Sequence, residues 1–430
     1  MKKNSNVNGI VSIFIVVALI VGVWKGPAFF QTIMKQDMES SESIEAASAS
    51  NTEEMRAVWI SYLEFQSAGV SKMSKGQFQK YIDNMFTKCK SLKMNTVIVQ
   101  VRPYGDAMYS SKYFPWSAII SGKQGKNPGY DPLKYMISSA HKRGLEFHAW
   151  LNPYRVMSNN MKTSYLSSSN PAKKWMKSSS SSKRRNVLSL EGAKYYNPSK
   201  SDVKTLIVNG VKEIVQNYDV DGIHFDDYFY PALGSNYKNN FDAKGYNAYK
   251  KNCKKNKKTA MSIVSWRRNN VNQLLKMVYS SIKKIDKSVS FGVSPAGNIN
   301  NLYASDRYYC DVRKWMSNSG YVDYICPQVY WSFTNKYCPY KNTVKQWAAM
   351  KKSSKVKLYI GLAAYRAGIS RNEAKVIGDI GWCSSKQELK KQVIAARKYK
   401  QVSGFVFYRY DNMVSAKTKS EIKNLKTVLK

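Results

Sequence analysis

Residues 220–231 read VDGIHFDDYFYP, and this stretch decides how the rest of the chain is read. Ile223 and Phe225 alternate with His224 and Asp226, the period of two that a β-strand imposes on its side chains. Four carboxylates, Asp219, Asp221, Asp226 and Asp227, fall within nine positions of a chain that has 28 acidic residues against 69 basic ones. Neighbouring carboxylates repel and raise each other's pKa. Acid–base chemistry or a cation is the usual reason for accepting that cost.

Working outward, seven further runs have the same β character: 56–61, 95–102, 145–152, 288–294, 321–329, 356–363 and 404–410. Helical spacing fills the segments between them, most clearly at 75–92, 132–143, 201–218 and 386–399. Eight strands alternating with helices predict an α/β fold, a (β/α)8 TIM barrel over residues 54–430. A doubly wound open sheet is the alternative, but no Gly-rich phosphate loop follows the first strand. Two insertions break the rhythm. Residues 158–186 are Ser/Lys-rich and read as a mobile loop after the third strand, and 228–268 form a long Lys-rich loop after the fourth. In a barrel both emerge on the face that carries catalysis.

Strand parity then selects the side chains that enter the barrel. With Ile223 and Phe225 facing the helices, His224 and Asp226 point inward and Tyr228 continues that line. Val97, Val99 and Val101 face out, leaving Gln100 and Arg102 inside. His148, Trp150 and Asn152 are inward on the third strand, and Cys326, Gln328 and Tyr330 on the sixth. A barrel filled only for stability would place Val, Ile and Leu there. Asp226 is the leading catalytic carboxylate, with Asp227 or Asp106 as its partner. Asp106 lies in the turn RPYGDA after the second strand. Glu64 and Asp411 are the other strand-end carboxylates. Arg102, Asn152, Tyr154, Arg155, His224, Tyr228, Gln328, Tyr330, Trp331 and Tyr365 are the candidates for substrate binding. Aromatic faces with polar edges suit sugar rings. His224 has a buried hydrogen-bonded role as its alternative.

The formal charge of +41 points to an anionic partner. The lysines are scattered and no zinc-finger, RRM or helix-turn-helix pattern is present, so envelope polymers are expected rather than nucleic acid. Lys2-Lys3 precedes an uncharged apolar run at 10–24, short for a membrane span. Residues 1–30 are expected to be a signal anchor or signal peptide that exports the body and ties it to the membrane. Residues 31–53 then form a flexible polar linker. Six cysteines permit disulfides in an exported chain, with Cys310, Cys338 and Cys383 open to pairing and Cys89 and Cys326 read as core thiols. No cofactor loop and no metal-ligand spacing is found.

Seven segments together resemble one known group. They are EMRAVWI (54–60), QVRPYGDAMY (100–109), FHAWLNPYR (147–155), DGIHFDDYFYP (221–231), VSPAGN (293–298), YICPQVYW (324–331) and IGLAAY (360–365). They resemble the glycoside-hydrolase-like family 10 (DUF187) barrels, a group that includes bacterial cell-envelope glycosidases. The resemblance spans residues 54 to about 412, in the expected strand order. It implies a barrel that hydrolyses O-glycosidic bonds, with peptidoglycan strands of the cell wall as the substrate class. The fourth-strand motif is also similar to that of chitinase-type barrels, Asp-Gly-x-Asp-x-Asp-x-Glu. Here His224 replaces the second Asp and Tyr228 the catalytic Glu, which moves the acid role to Asp226, Asp227 or another strand. Two other readings stand beside this one. The first is a non-catalytic glycan-binding barrel that organises the wall. The second is a metal-dependent deacetylase using Asp226, Asp227, His148 and His224.

Overall fold

Eight parallel strands close on one another in the computed structural model, which describes residues 54–429. They are β1 (Met55–Ile60), β2 (Thr96–Arg102), β3 (Glu146–Leu151), β7 (Gly222–Phe225), β8 (Ser290–Val293), β9 (Tyr324–Ile325), β10 (Lys357–Leu362) and β11 (Val402–Tyr408). The barrel order is β1-β11-β10-β9-β8-β7-β3-β2. The (β/α)8 expectation therefore holds. The expectations for residues 1–30 and 31–53 lie outside the described residues. Among the described residues, no helix is long and apolar enough to cross a membrane.

Local sequence explains the main helices. α1 (Lys75–Ser91) starts at Ser74, whose side chain accepts from the Gln77 amide while Gln77 reaches back, a reciprocal cap. Phe78, Ile82, Met85, Phe86 and Cys89 fall on one face and are buried against the barrel wall. α2 (Pro132–His141) begins with Asp131 as cap and Pro at its first position. α3 (Ser201–Asn217) and α5 (Ile263–Ile285) are long amphipathic helices flanking β7 in sequence, with α4 (Ala243–Lys255) between β7 and α5.

β9 is much shorter than the nine residues its sequence suggests. Pro327 has no N–H to give the ladder, so regular pairing stops before it. Contact resumes only as isolated bridges from Gln328 to Ala296 and Gly361. The loop expected at 158–186 is also corrected. That region carries short helices at Pro171–Met176 and Ser181–Arg184. Around it β4 (Arg155–Met157), β5 (Val187–Leu190) and β6 (Ala193–Tyr196) form a separate antiparallel sheet, ordered β4-β6-β5. Glu191 and Gly192 make the β5–β6 turn with φ of 48° and 83°, the left-handed pair that a two-residue hairpin needs. The Lys-rich middle of 228–268 is likewise helical, as α4 and the start of α5. No disulfide forms: all six cysteines are free, and Cys89, Cys253, Cys310 and Cys326 are buried.

The barrel interior is filled by rings. Trp59, Trp150, Tyr324, Tyr359 and Tyr408 pack with Met55, Ala57, Ile98, Cys326 and Val406 in a cluster distinct from the outer core. Glycines on neighbouring strands make room for these rings. A Cβ on Gly222 would come within 2.6 Å of the His148 ring, one on Gly361 within 2.9 Å of Trp59, and one on Gly292 would overlap Tyr324. Among these rings the Trp59 indole donates to His224 Nε2 at 3.2 Å. An indole N–H can only donate, so Nε2 accepts and the proton of His224 sits on Nδ1. Nδ1 then donates to the Tyr324 hydroxyl at 2.9 Å, which in turn has its hydrogen free for His148 Nδ1 at 3.0 Å. Burial, and then His148, lowers the His224 pKa well below its ordinary value, so this imidazole stays neutral.

Candidate active site

The site lies where β7 ends. Asp226 is buried, and three donors converge on its carboxyl group. Asn152 Nδ2 reaches Oδ2 at 2.6 Å, Trp150 Nε1 reaches the same oxygen at 3.2 Å, and the Tyr228 amide reaches Oδ1 at 3.1 Å. Asn152 is itself oriented by a line of amides. The Tyr62 amide donates to Gln100 Oε1 at 3.1 Å, and Gln100 Nε2 donates to Asn152 Oδ1 at 2.6 Å. Every member is fixed by its neighbour, so Asn152 has only its NH2 group left for Asp226.

Burial pushes the Asp226 carboxyl up to about 6, against the pull of its donors and of Arg155. Asp227 is half-buried beside it, and burial followed by the charge of Asp226 raises it to about 7. The Gln328 side chain hydrogen-bonds Asp227, and its Nε2 also donates to Ser294 O at 3.0 Å. The two carboxyl groups thus differ in kind. Three donors need lone pairs and favour ionised Asp226, whereas Asp227 has fewer donors and faces its neighbour's charge, which favours a retained proton.

Arg155, the first residue of β4, brings a cation over this pair. Its guanidinium lies 4.7 Å from the ring centres of both Tyr104 and Tyr228. Burial opposes its charge, but Tyr104, Tyr228, Tyr62 and Asp226 together hold its pKa above the ordinary value. The Tyr62 and Tyr104 hydroxyls lie 3.2 Å apart. On the other side Tyr330 stacks on Tyr408 at 5.9 Å and meets Tyr365 edge-on at 5.6 Å. Trp331 is half-buried and packs against Gly297. Asn152, Arg155, Tyr228, Gln328, Tyr330, Trp331 and Tyr365 therefore surround the Asp226–Asp227 end of the barrel or line the aromatic ring set beside it.

Four expected residues are placed elsewhere. Arg102 does not enter the lumen. Opposite β3, Gln100 pairs with Trp150 and Arg102 with Leu151, so β2 carries one extra residue and a bulge turns Arg102 aside. Its guanidinium lies 4.3 Å over the Phe114 ring, buried and without a hydrogen-bond partner. Asp106 keeps company with Arg102. Its Oδ2 accepts from Gln124 Nε2 at 3.0 Å, and burial pushes it up to about 6. It belongs to that buried group and makes no contact with the Asp226–Asp227 pair. Tyr154 is fully buried against Phe229, because Pro153 turns the chain as β3 ends. His224 is fully buried and spent on Trp59 and Tyr324, beyond the reach of a ligand.

Glu64 and Asp411 are bound to each other's neighbourhood. Arg409 Nη1 lies 2.8 Å from Glu64 and 3.3 Å from Asp411, and the Ser61 hydroxyl donates to Glu64 at 2.6 Å. The metal-dependent alternative loses its ligands. His148 and His224 present their Nδ1 atoms to Tyr324, and no group of three His, Cys, Asp or Glu residues among those described could hold an ion. Tyr62, Tyr308 and Tyr408 also border the site, although no expectation from the sequence covers them. Burial and then the Asp227 charge push the Tyr308 phenol up. Tyr408 does carry a sequence signal, since it follows Val406 with inward parity on β11. Tyr62 and Tyr308 lie outside any strand and carry no such signal.

A family model described as glycosyl hydrolase-like 10 matches residues 54–377. Glycosyl hydrolase YngK of Bacillus subtilis (strain 168) is 37% identical over 382 residues, 84% of this chain and 69% of that protein. Glycosyl hydrolase DigH of Escherichia coli (strain K12) is 34% identical over 405 residues, 89% of each. Among solved structures, the PgaB (BpsB) glycoside hydrolase domain from Bordetella bronchiseptica superposes with a TM-score of 0.51 over 87% of this chain and 99% of that one. At 13% identity it shares the fold alone.

Proposed function

This chain belongs to the glycosyl hydrolase-like 10 family and is a glycoside hydrolase, and from that premise we propose that it cleaves the glycan strands of peptidoglycan. The observation that carries the mechanism is the unequal pair at the end of β7. Asp227, raised to about 7, serves as the general acid that protonates the leaving glycosidic oxygen. Asp226, fixed by Asn152, Trp150 and the Tyr228 amide, serves as the carboxylate that stabilises positive charge developing at the sugar, until water adds at the anomeric carbon and its proton returns to Asp227. Arg155 lowers the pKa of both carboxyl groups, while the Tyr228 amide, Trp150 and Asn152 act on Asp226 alone and the Asp226 charge raises Asp227, so Asp226 gives up its proton first. Tyr228, Tyr330, Trp331 and Tyr365 offer the aromatic faces on which sugar rings stack.

Peptidoglycan is favoured by charge. A chain with 69 basic and 28 acidic residues is drawn to an anionic wall. The apolar run at 10–24 behind Lys2-Lys3 supports export, with membrane anchoring through the same segment and further attraction to anionic envelope polymers. The test is to incubate the full chain and its Asp226→Asn variant with purified glycan strands, peptide-bearing and peptide-stripped, reading products by mass spectrometry. New reducing ends from the unsubstituted chain alone are expected. Release of acetate without chain scission, or no product from either strand type, would overturn the proposal.

A further inference from the structure

A cavity of about 480 Å³ opens between α4 and the start of α5, away from the carboxylate pair. Its wall carries Lys238, Lys244, Lys250 and Tyr246, closed by Ser262 and Ile263, and it contains no carboxylate. The three lysines are exposed. Residues 238–268 hold ten basic side chains and one acid, Asp242. That acid is already taken. Arg267 Nε and Nη2 donate to its Oδ1 at 2.8 and 2.6 Å, and the Tyr230 hydroxyl donates to Oδ2 at 3.1 Å. Both ionic partners are fully enclosed, so the three ammonium groups face solvent with no carboxylate to cancel them.

The cavity also offers a fixed ring. The Tyr246 hydroxyl donates to Met261 O at 2.8 Å, and its ring packs on Trp266 at 5.5 Å and on Tyr249 at 6.1 Å. Lys250 lies 5.1 Å from the ring centre. An aromatic face beside several ammonium groups fits a sugar ring that bears a negative substituent better than it fits a bare ion. Its position is fixed as well. α5 follows β7, so its first turn lies on the same barrel face as Asp226 and Asp227. Arg267 Nη1 also donates to Tyr309 Oη at 2.8 Å and to Tyr237 O at 2.9 Å. Tyr230, three residues beyond Asp227, completes the tie through Asp242.

We propose that this cavity is a second glycan-binding site. It holds a carboxylate-bearing stretch of the polysaccharide strand whose continuation lies at the Asp226–Asp227 cleft. The inference rests on the reading of the chain as a strand-cleaving hydrolase and adds where the strand is gripped. It predicts a division of labour: the cleft reads a few sugars, and the cavity gives long anionic strands their affinity.

The test measures equilibrium binding of soluble carboxylate-bearing glycan strands to the full chain carrying Asp226→Asn, which prevents turnover during the measurement. Adding Lys238→Gln, Lys244→Gln and Lys250→Gln is expected to raise Kd about tenfold, the effect of losing three exposed ion pairs. The same triple variant should bind strands whose carboxyl groups have been reduced to alcohols as the parent does. With Asp226 restored, it should cleave short oligosaccharides at the parent rate. Lys251→Gln, Lys254→Gln and Lys255→Gln on the same helix serve as a charge-matched control. Unchanged binding by the cavity variant, or an equal loss in the control, would overturn the proposal. Binding is read without cleavage, so the two readings fail separately. If the unsubstituted chain cuts no strand but the cavity lysines still control binding, the hydrolase substrate is wrong and the site stands. If strands are cut but the lysines leave affinity unchanged, the site falls alone.

Discussion

Replacing Asn152 with alanine removes the shortest of the three hydrogen bonds that hold Asp226 ionised, at 2.6 Å, and leaves those from Trp150 and Tyr228. A hydrogen bond to a charged acceptor is worth about 1.5–3 kcal/mol, and about 1.4 kcal/mol moves a pKa by one unit. The donor favours the ionised form, so its loss raises the pKa. A carboxyl that burial has lifted to about 6 should climb by roughly one to two units. Taking about 1.5 units, the ionised fraction at neutral pH falls from about nine-tenths to about a quarter. The expected result is an activity loss of about fourfold near pH 7 that disappears above about pH 9. The assay is kcat/KM on soluble glycan strands across about pH 5 to 9.5, with the acid limb of the profile as the readout. A melting curve at each pH controls for the Gln100 amide, which donates to Asn152 and loses its acceptor. A uniform loss at every pH, with the acid limb in place, would refute the reasoning. Asn152 would then act by touching substrate, not by holding charge on Asp226.

Other outcomes follow from the same geometry. Asp227→Asn should lower kcat on glycan strands by about 10²- to 10⁴-fold, with a far smaller loss on aryl glycosides whose leaving group needs no proton; equal losses on both would remove Asp227 from the acid role. The same variant should be more stable than the parent at pH 8. Burial and Asp226 raise the folded pKa of Asp227 above its unfolded value, so ionisation costs stability as pH rises through about 7. The gain, read from urea midpoints, should fade as pH falls toward 4, and an equal gain at both ends would contradict the linkage. Tyr324→Phe leaves Nδ1 of His148 and of His224 unpartnered and should cost about 2–4 kcal/mol in urea denaturation. A change under about 0.5 kcal/mol would mean that the interior network is not satisfied as described. A thiol reagent should titrate all six cysteines after unfolding, and melting should be the same with and without reductant. A shortfall of thiols would reveal a disulfide.

Strand parity carried most of the architecture. Ile223 and Phe225 outward and Asp226 inward follow from two-residue alternation, a local property that survives without knowledge of partners. The same rule put Asn152 and Gln328 at the carboxylate end, where they hydrogen-bond Asp226 and Asp227. It failed at Arg102 because a bulge is a relation between two strands, β2 running one residue ahead of β3, and no single-strand pattern records it. It failed at Tyr154 because the strand had already ended at Pro153. His224 had the correct parity but the wrong depth. Only the positions of Trp59 and Tyr324, far away in sequence, reveal that its nitrogens are spent. The sheet of β4, β5 and β6 leaves little trace in the sequence because its hairpin turns on Glu191-Gly192, a weaker signal than Asn-Gly, within a Ser/Lys-rich surround.

The glycines beneath the interior rings constrain how this barrel can diverge. Gly292 and Tyr324 share one volume, as do Gly222 with His148 and Gly361 with Trp59. Enlarging a glycine first drives a new methyl into a buried ring, most severely at Gly292, where it would sit 2.0 Å from Tyr324 and force the ring and its neighbours to shift. Shrinking the ring first leaves a void that costs a few kcal/mol but can be carried for a time. The route between two viable barrels is therefore ordered, ring before glycine, and in reverse, glycine before ring. Positions 292 and 324 should accordingly covary across descendants, and intermediates caught along the way should hold a void and never a bulky pair.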